Sequence, residues 1–265
     1  MKYAFGCIGY GNMGSAILDG AVGAGIFRPE EIAIFNRGEP KREICRQKGY
    51  TVLENAAAVW ENCDVVMFAI KPQGMDALLQ ELSTSDAHPL AVSIVAGVGE
   101  EKIHRYLPGT RVVFAMPNTP LLLQCGATAL ARGKGVEEQE FRKIMDIFAA
   151  LGEACEIPVT LLNEVIPVNG SSPAFVYYFI KAFAAWGEKC GMTPEAALTL
   201  TAKAFEGAAK MVLKGDDTPD VLIRKVCSPG GATLEGMRVL DEEHVADILD
   251  KVSQACVDRA YELGK

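Results

Sequence analysis

Near its start the chain carries Gly9-Tyr10-Gly11-Asn12-Met13-Gly14, a G-x-G-x-x-G loop that directly follows the apolar run Tyr3–Ile8. No other feature restricts the fold as much. The pattern alone is common, but here a strand precedes it and a helical stretch, Met13–Ala24, follows it, which is the context in which such a loop grips a dinucleotide. Gly9 permits the tight turn, Gly11 lets backbone approach a pyrophosphate, and Gly14 lets the helix pack closely on the strand. The helix N-terminus offers amides and a positive dipole end to the phosphates. The alternative is a loop that merely needs its glycines.

The same alternation continues as far as Pro158. Apolar runs predict strands at Glu31–Phe35, Tyr50–Val52, Val65–Ile70, Ala91–Val95, Arg111–Met116, Ala127–Ala131 and Ala154–Ile157. Between them, helices are predicted at Lys41–Lys48, Gly74–Leu82, Glu100–Tyr106 and Glu137–Leu151. Strands separated by helices imply βαβ units, hence an α/β fold with a doubly wound, mostly parallel sheet. After Pro158 only helical patterns follow, so the expected division is residues 1–158 and 159–265. Thr193-Pro194-Glu195 opens one helix, ended by Gly215; Thr218-Pro219-Asp220 opens another, running to about Cys227; Asp241-Glu242-Glu243 reads as the opening of the last. Ala174–Lys189 is apolar nearly all round, and such a helix must be buried on every face. The helices that remain are too few to bury it, which predicts an obligate dimer through this region. The alternative is the central helix of a compact bundle.

The second predicted strand sets the expected nucleotide. NAD binders usually place Asp or Glu at its end to bond the ribose 2′-hydroxyl. Here the strand ends Ile34-Phe35-Asn36-Arg37, and Lys41 and Arg42 follow. A guanidinium there suits a 2′-phosphate, which predicts NADPH, with NADH as the alternative. Otherwise Arg37 is a solvated surface charge. Ligands in open parallel sheets sit at the carboxyl ends of strands. Ala69, Ile70, Lys71 and Pro72 should therefore border the cofactor, and Val95-Ala96-Gly97 and Met116-Pro117-Asn118-Thr119-Pro120 should share the crevice. Lys71 reads as a general acid, a positioned charge or a surface lysine.

A second constellation, Ser228-Pro229-Gly230-Gly231-Ala232-Thr233, lies between two helical stretches. A helix beginning near Gly231 would aim its unpaired amides into this loop. With no lysine inside it, the loop suits a carboxylate better than a phosphate. The alternative is an ordinary capped turn.

Composition narrows the function classes. With 49% hydrophobic residues and no long block of like charge, disorder is excluded for the bulk of the 265 residues. The longest apolar runs fall short of the roughly 18 residues of a membrane span, and the N-terminal segment does not read as a signal peptide, so a cytoplasmic protein is expected. The formal net charge of −8, without a basic patch, argues against nucleic-acid binding. The eight cysteines form no Cys-x-x-Cys pair and the three histidines lie far apart, so neither a metal site nor a disulfide framework is expected.

These residues complete a resemblance. The chain is similar to the pyrroline-5-carboxylate reductases over essentially its whole length. The similarity is carried by Phe5–Gly14, Ala69-Ile70-Lys71-Pro72-Gln73, Met116–Pro120, Gly170-Ser171-Ser172-Pro173-Ala174-Phe175 and Val226–Thr233, of which the last is the family's signature. The resemblance implies a Rossmann domain followed by an all-α substrate-binding and dimerisation domain. It implies interlocked dimers that in the family often assemble into decamers, and the NAD(P)H-dependent reduction of 1-pyrroline-5-carboxylate to L-proline. By position it puts Ile8, Gly9, Gly11, Asn12, Met13, Gly14, Asn36, Arg37, Asn55, Ala69, Ile70, Lys71, Pro72, Ile94, Val95 and Ala96 at the cofactor. Val226, Ser228, Gly231, Ala232 and Thr233 would line the substrate pocket.

The chain departs from the family pattern Val-Thr-Gly-Leu-Ser-Gly-Ser-Gly-Pro-Ala at residues 165–174. Ile166 stands for a hydroxyl residue, Pro167 and Ser172 for glycines, and Asn169 for a serine. Pro167 should shift or kink the start of the long helix. The implied chemistry needs little acid–base machinery, because hydride addition to a protonated cyclic imine yields a neutral amine rather than an alkoxide. Amides near Gly231, Ala232 and Thr233 would bind the carboxylate, and the Thr233 hydroxyl would bond the ring nitrogen and relay a proton. Two rival classes differ in sequence. β-Hydroxyacid dehydrogenases would need a catalytic lysine on the long helix, where Lys181 and Lys189 stand in unmatched contexts; a nucleotide-binding sensor would bind NADPH without turnover.

Overall fold

The computed structural model describes residues 3–264. Met1, Lys2 and Lys265, at the ends of the expected domain ranges, lie outside the described residues. Eight strands form one sheet: β1 (Tyr3–Ile8), β2 (Ile32–Phe35), β3 (Thr51–Val52), β4 (Cys63–Phe68), β5 (Leu90–Ser93), β6 (Val112–Met116), β7 (Gly126–Arg132) and β8 (Gly152–Glu156). Their order is β3-β2-β1-β4-β5-β6-β7-β8, parallel throughout except for the antiparallel β6–β7 pair. The order reverses at β1: β2 lies on one side and β4 on the other, with Ile8 level with both Phe35 and Phe68. At such a switch point two loops diverge and leave a crevice beyond the strand ends.

The sheet is covered on both faces. One core gathers Ile17, Leu18, Phe141, Ile144 and Phe148 from α1 (Asn12–Gly23) and the helix Glu138–Ala149; the other gathers Val59, Trp60, Leu78, Leu79 and Ile103 from Ala56–Asn62, Met75–Leu82 and Glu100–Tyr106. In chain order the helices after α1 are α2 (Glu39–Gln47), α3 (Ala56–Asn62), α4 (Met75–Leu82), α5 (Glu100–Tyr106) and α6 (Glu138–Ala149). Sequence periodicity left residues 53–62 without an element, where the structure has α3. Its signal was local: Asn55 accepts the Ala58 N–H at 2.7 Å as an N-cap, ahead of three alanines.

Compact units, defined by internal packing, are residues 1–171 with 255–265, and residues 172–254. The expected boundary at 158 falls inside the first. Val159 and Leu162 pack on the sheet's second core, and the backbone at Gly97 (φ +76°) meets the end of the last helix so closely that a Cβ would lie 2.5 Å from the Ala260 carbonyl oxygen. Residues Ile166–Gly170 form a π-helical turn containing Pro167, in which the Ser171 N–H reaches the Ile166 carbonyl. The expected disturbance before the long helix therefore takes this form.

The second unit is built on α7 (Ser172–Lys189), α8 (Pro194–Lys214), α9 (Pro219–Val226), α10 (Ala232–Glu242) and the first part of α11 (Val245–Gly264). Asp241 and Glu242 close α10 instead of opening the last helix, because His244, at φ +50°, breaks the chain between the two. Along α7 only Ala184 and Gly187 are buried, while Tyr178 is 70% and Trp186 66% exposed. Within one chain, this apolar helix lacks the cover its composition demands. Among the described residues, no helix is long and apolar enough to cross a membrane, and no group of three or more His, Cys, Asp or Glu side chains is placed to hold a metal ion.

Candidate functional site

A cleft of about 430 Å³ opens at the switch point, lined by Ile8, Gly9, Gly11, Asn36, Arg37, Ala69, Ile70 and Lys71 from the expected set. The three glycines divide their work as the pattern requires. Gly9 sits at φ +104° and donates its N–H to the Phe35 carbonyl at 2.8 Å. A Cβ on Gly14 would lie 2.6 Å from the Gly9 carbonyl oxygen, so this glycine lets α1 close on the loop and does not face the cleft. A Cβ on Gly11 would meet nothing within 4 Å. The space it leaves is the one a pyrophosphate needs, at the N-cap of α1 where no side chain competes for the first amides.

The end of β2 supplies the charge. Asn36 stands where a ribose-binding carboxylate would, and its side chain is already committed: Oδ1 accepts the Tyr10 N–H at 3.1 Å and Nδ2 donates to the Gly38 carbonyl. Arg42 donates Nε to the Asn36 carbonyl and lies over the Phe35 ring at 5.1 Å. Lys41 Nζ donates to the Tyr10 carbonyl at 2.8 Å. Arg37 is exposed on the cleft and has no hydrogen bond or ion pair among the described residues. An unengaged guanidinium with no carboxylate beside it fits a 2′-phosphate, and the residues present fit NADP(H).

The other expected cofactor residues fall elsewhere. Asn12 and Met13 begin α1, Asn55 caps α3, and Pro72 starts a short 3-10 turn; none of the four lines the cleft. Ile94 extends β5 by donating to the Phe68 carbonyl at 3.2 Å. Val95 borders a separate cavity of about 370 Å³ with Met116, Asn163 and Tyr261, and Ala96 borders neither. Sequence reasoning missed Phe35, Ala56, Gln73, Gly74, Leu78 and Glu81, which complete the first cleft. Phe35 was findable as the residue that ends the strand. Glu81 was not: its Oε1 accepts the N–H groups of Ala56 and Ala57 at 3.2 and 3.3 Å, a contact between residues far apart in the chain.

In the second unit, Gly230 takes φ +70°, and the Gly231 N–H turns back onto the Ser228 carbonyl at 2.9 Å. Gly231 is the N-cap of α10 and provides no side-chain cap, so the first-turn amides at Ala232 and Thr233 keep their donors for a ligand. Thr233 and Val226 also border an apolar cavity of about 390 Å³ with Met211, Leu222 and Met237. No histidine or carboxylate lines that cavity.

Comparison with known proteins bears on both sites. Residues 160–263 match a family profile described as pyrroline-5-carboxylate reductase dimerisation, and residues 4–97 match one described as NADP oxidoreductase, coenzyme F420-dependent. The chain is 35% identical over 268 residues to the pyrroline-5-carboxylate reductase of Escherichia coli (strain K12), covering 100% of both chains. It is 35% identical to that of Methanosarcina acetivorans, covering 98% of this chain and 97% of the other. Among solved structures it resembles the Coxiella burnetii enzyme at TM-score 0.90 and 30% identity, with 100% of both chains covered. It also resembles the Plasmodium falciparum reductase crystallised with NADP bound, at TM-score 0.89 and 25% identity, covering 99% of this chain and 98% of that one.

Proposed function

The chain belongs to the pyrroline-5-carboxylate reductase family, and from that premise we infer that it reduces 1-pyrroline-5-carboxylate to L-proline, the last step of proline biosynthesis. NADPH is the reductant in this reading, with NADH as the alternative. When bound, the nucleotide supplies hydride to the imine carbon. Gly9, Gly11 and the first turn of α1 hold its pyrophosphate, and Arg37 pairs with its 2′-phosphate. The amides at Ala232 and Thr233 bind the substrate carboxylate, with Val226, Ser228 and Gly231 around it. The Thr233 hydroxyl, the catalytic group here, bonds the ring nitrogen and, once hydride addition has made it a neutral amine, relays a proton to it from water. Orientation accounts for most of what the chain must do, since an iminium accepts hydride without a strong acid.

The observation that carries this reading at the level of the site is the bare first turn of α10. It presents unpaired amides and one hydroxyl; its one carboxylate, Glu235, accepts from Arg238 Nε at 3.1 Å, and no histidine or carboxylate lines the adjoining cavity, as suits fixing a carboxylate beside an imine. We assign nucleotide binding to residues 1–158 and substrate binding with dimerisation to residues 159–265, supported by the profile over 160–263. A homodimer through the helical part, with decamers as the larger assembly of the family, would cover the exposed aromatic face of α7. We place the protein in the cytoplasm, where a reducing NADPH pool suits buried thiols such as those of Cys7 and Cys45.

The test is absorbance-followed oxidation of NADPH, then NADH, by the purified protein with 1-pyrroline-5-carboxylate. Turnover with NADPH preferred supports both the reaction and the role of Arg37. NADH preference keeps the reaction and removes the 2′-phosphate argument. Binding of NADPH without turnover would overturn the reaction and direct attention to residues 165–174.

A further inference from the structure

Tyr10, the residue between the first two glycines of the loop, is held at three points. Its N–H donates to Asn36 Oδ1 at 3.1 Å, its carbonyl accepts from Lys41 Nζ at 2.8 Å, and its hydroxyl donates to Asp19 Oδ1 at 2.7 Å. The ring is 4% exposed and packs edge-on against Tyr50 at 6.2 Å. Asp19, on α1, also accepts from the Tyr50 hydroxyl at 2.8 Å and pairs with Lys48 at 2.5 Å. One carboxylate thus satisfies two buried phenols, and hydrogen bonds to a charged acceptor are the stronger kind. Burial and the neighbouring carboxylate push the Tyr10 phenol well above its ordinary range, so it stays a donor.

We propose that Tyr10 and Asp19 are positioning residues for the nucleotide: they fix the Gly9–Gly11 backbone in its binding shape and tie it to the end of β2, where Arg37 stands. The proposal rests on the reading of this cleft as the NADP(H) site. Neither Tyr10 nor Asp19 lines the cleft. A loop already in its bound form adds no ordering cost to binding, whereas a loosened one subtracts that cost from affinity. Gly9 and Gly11 lack side chains of their own to anchor them, so the residue between them carries the anchor for both. The N–H and carbonyl of Tyr10 reach Asn36 and Lys41, so the loop leans on the end of β2, which its pairing with β1 holds in place whether or not the loop is tight.

Two variants separate this role from plain stabilisation. Tyr10→Phe and Tyr50→Phe each remove one hydrogen bond to Asp19, but only the first loosens the loop. Dissociation constants for NADPH, measured by fluorescence titration, and for 2′-AMP, which lacks a pyrophosphate, are compared beside melting temperatures. Tyr10→Phe should weaken NADPH about fivefold and leave 2′-AMP within about twofold. Tyr50→Phe should leave both within about twofold while lowering the melting temperature comparably. Asp19→Asn should follow Tyr10→Phe in direction. Equal NADPH affinities in the two phenylalanine variants, or a parallel loss of 2′-AMP in Tyr10→Phe, would overturn the proposal. Wild-type protein that fails to bind NADPH would overturn the cofactor reading and the proposal with it.

Discussion

Asn118 and Asn169 lock the loop after β6 to the π-helical turn that precedes α7. Asn118 Nδ2 donates to the Asn169 carbonyl at 3.1 Å, and Asn118 Oδ1 accepts the Ala127 N–H at 2.9 Å. In return Asn169 Nδ2 donates to the carbonyls of Met116 and Ala127 at 2.6 and 2.9 Å. Both side chains are buried, at 7% and 9% exposure, so each is the local substitute for water. The position where the family pattern has serine is therefore filled by a residue long enough to reach two strands.

Replacing Asn169 by Ala should leave two buried carbonyls without this donor. The expected loss of stability is about 3 kcal/mol, read from urea unfolding. Serine, too short to span both acceptors, should lose nearly as much. A loss below about 1 kcal/mol for alanine would show that the lock is not a stability element.

Gly11 and Gly14 should fail in opposite ways. Gly14→Ala forces a Cβ to 2.6 Å from a backbone oxygen and should cost roughly 2–3 kcal/mol of stability. Gly11→Ala meets nothing within 4 Å and should fold within about 1 kcal/mol of the parent. The methyl group would stand where the pyrophosphate belongs, so NADPH affinity should fall at least about tenfold. Melting curves and NADPH titrations on the same samples check both.

Arg37→Ala should raise KM for NADPH by about 10- to 100-fold and leave KM for NADH within about twofold, because a charge-assisted pair to phosphate is lost and nothing else. Equal effects on the two nucleotides would remove Arg37 from the 2′-phosphate role.

Thr233→Ala should raise KM for 1-pyrroline-5-carboxylate about tenfold and lower kcat/KM, with NADPH affinity unchanged. Thr233→Ser keeps the hydroxyl and should recover most of the loss. A fall in NADPH binding in the alanine variant would refute the assignment.

The strand–turn–helix start was legible because its demands are local. β1 occupies the predicted residues, Gly9 takes the positive φ that only glycine holds without strain, and the caps at Thr193 and Thr218 begin α8 and α9 where the sequence puts them. The Ser228–Thr233 loop was legible for the same reason, through Gly230 and Gly231. The first cleft was only half legible: the glycines and the Asn36-Arg37 corner were found, whereas Glu81 reaches it through a contact between distant segments. Asp241 and Glu242 misled because acidic residues also occur late in helices, and only the left-handed His244 marks the break.

The sequence by itself determined the alternation of strands and helices, the phosphate-cradling loop, the absence of a carboxylate at the end of β2 and the uncapped turn before α10. Each follows from short-range sterics, hydrophobic periodicity or residue charge, which neighbouring residues express without help. Only the tertiary structure decided where the first compact unit ends, that Asn169 serves as a lock, and that Tyr10 is gripped by Asn36, Lys41 and Asp19. Those outcomes depend on which buried polar group finds which partner, and burial makes an unmet hydrogen bond costly only after distant segments have come together.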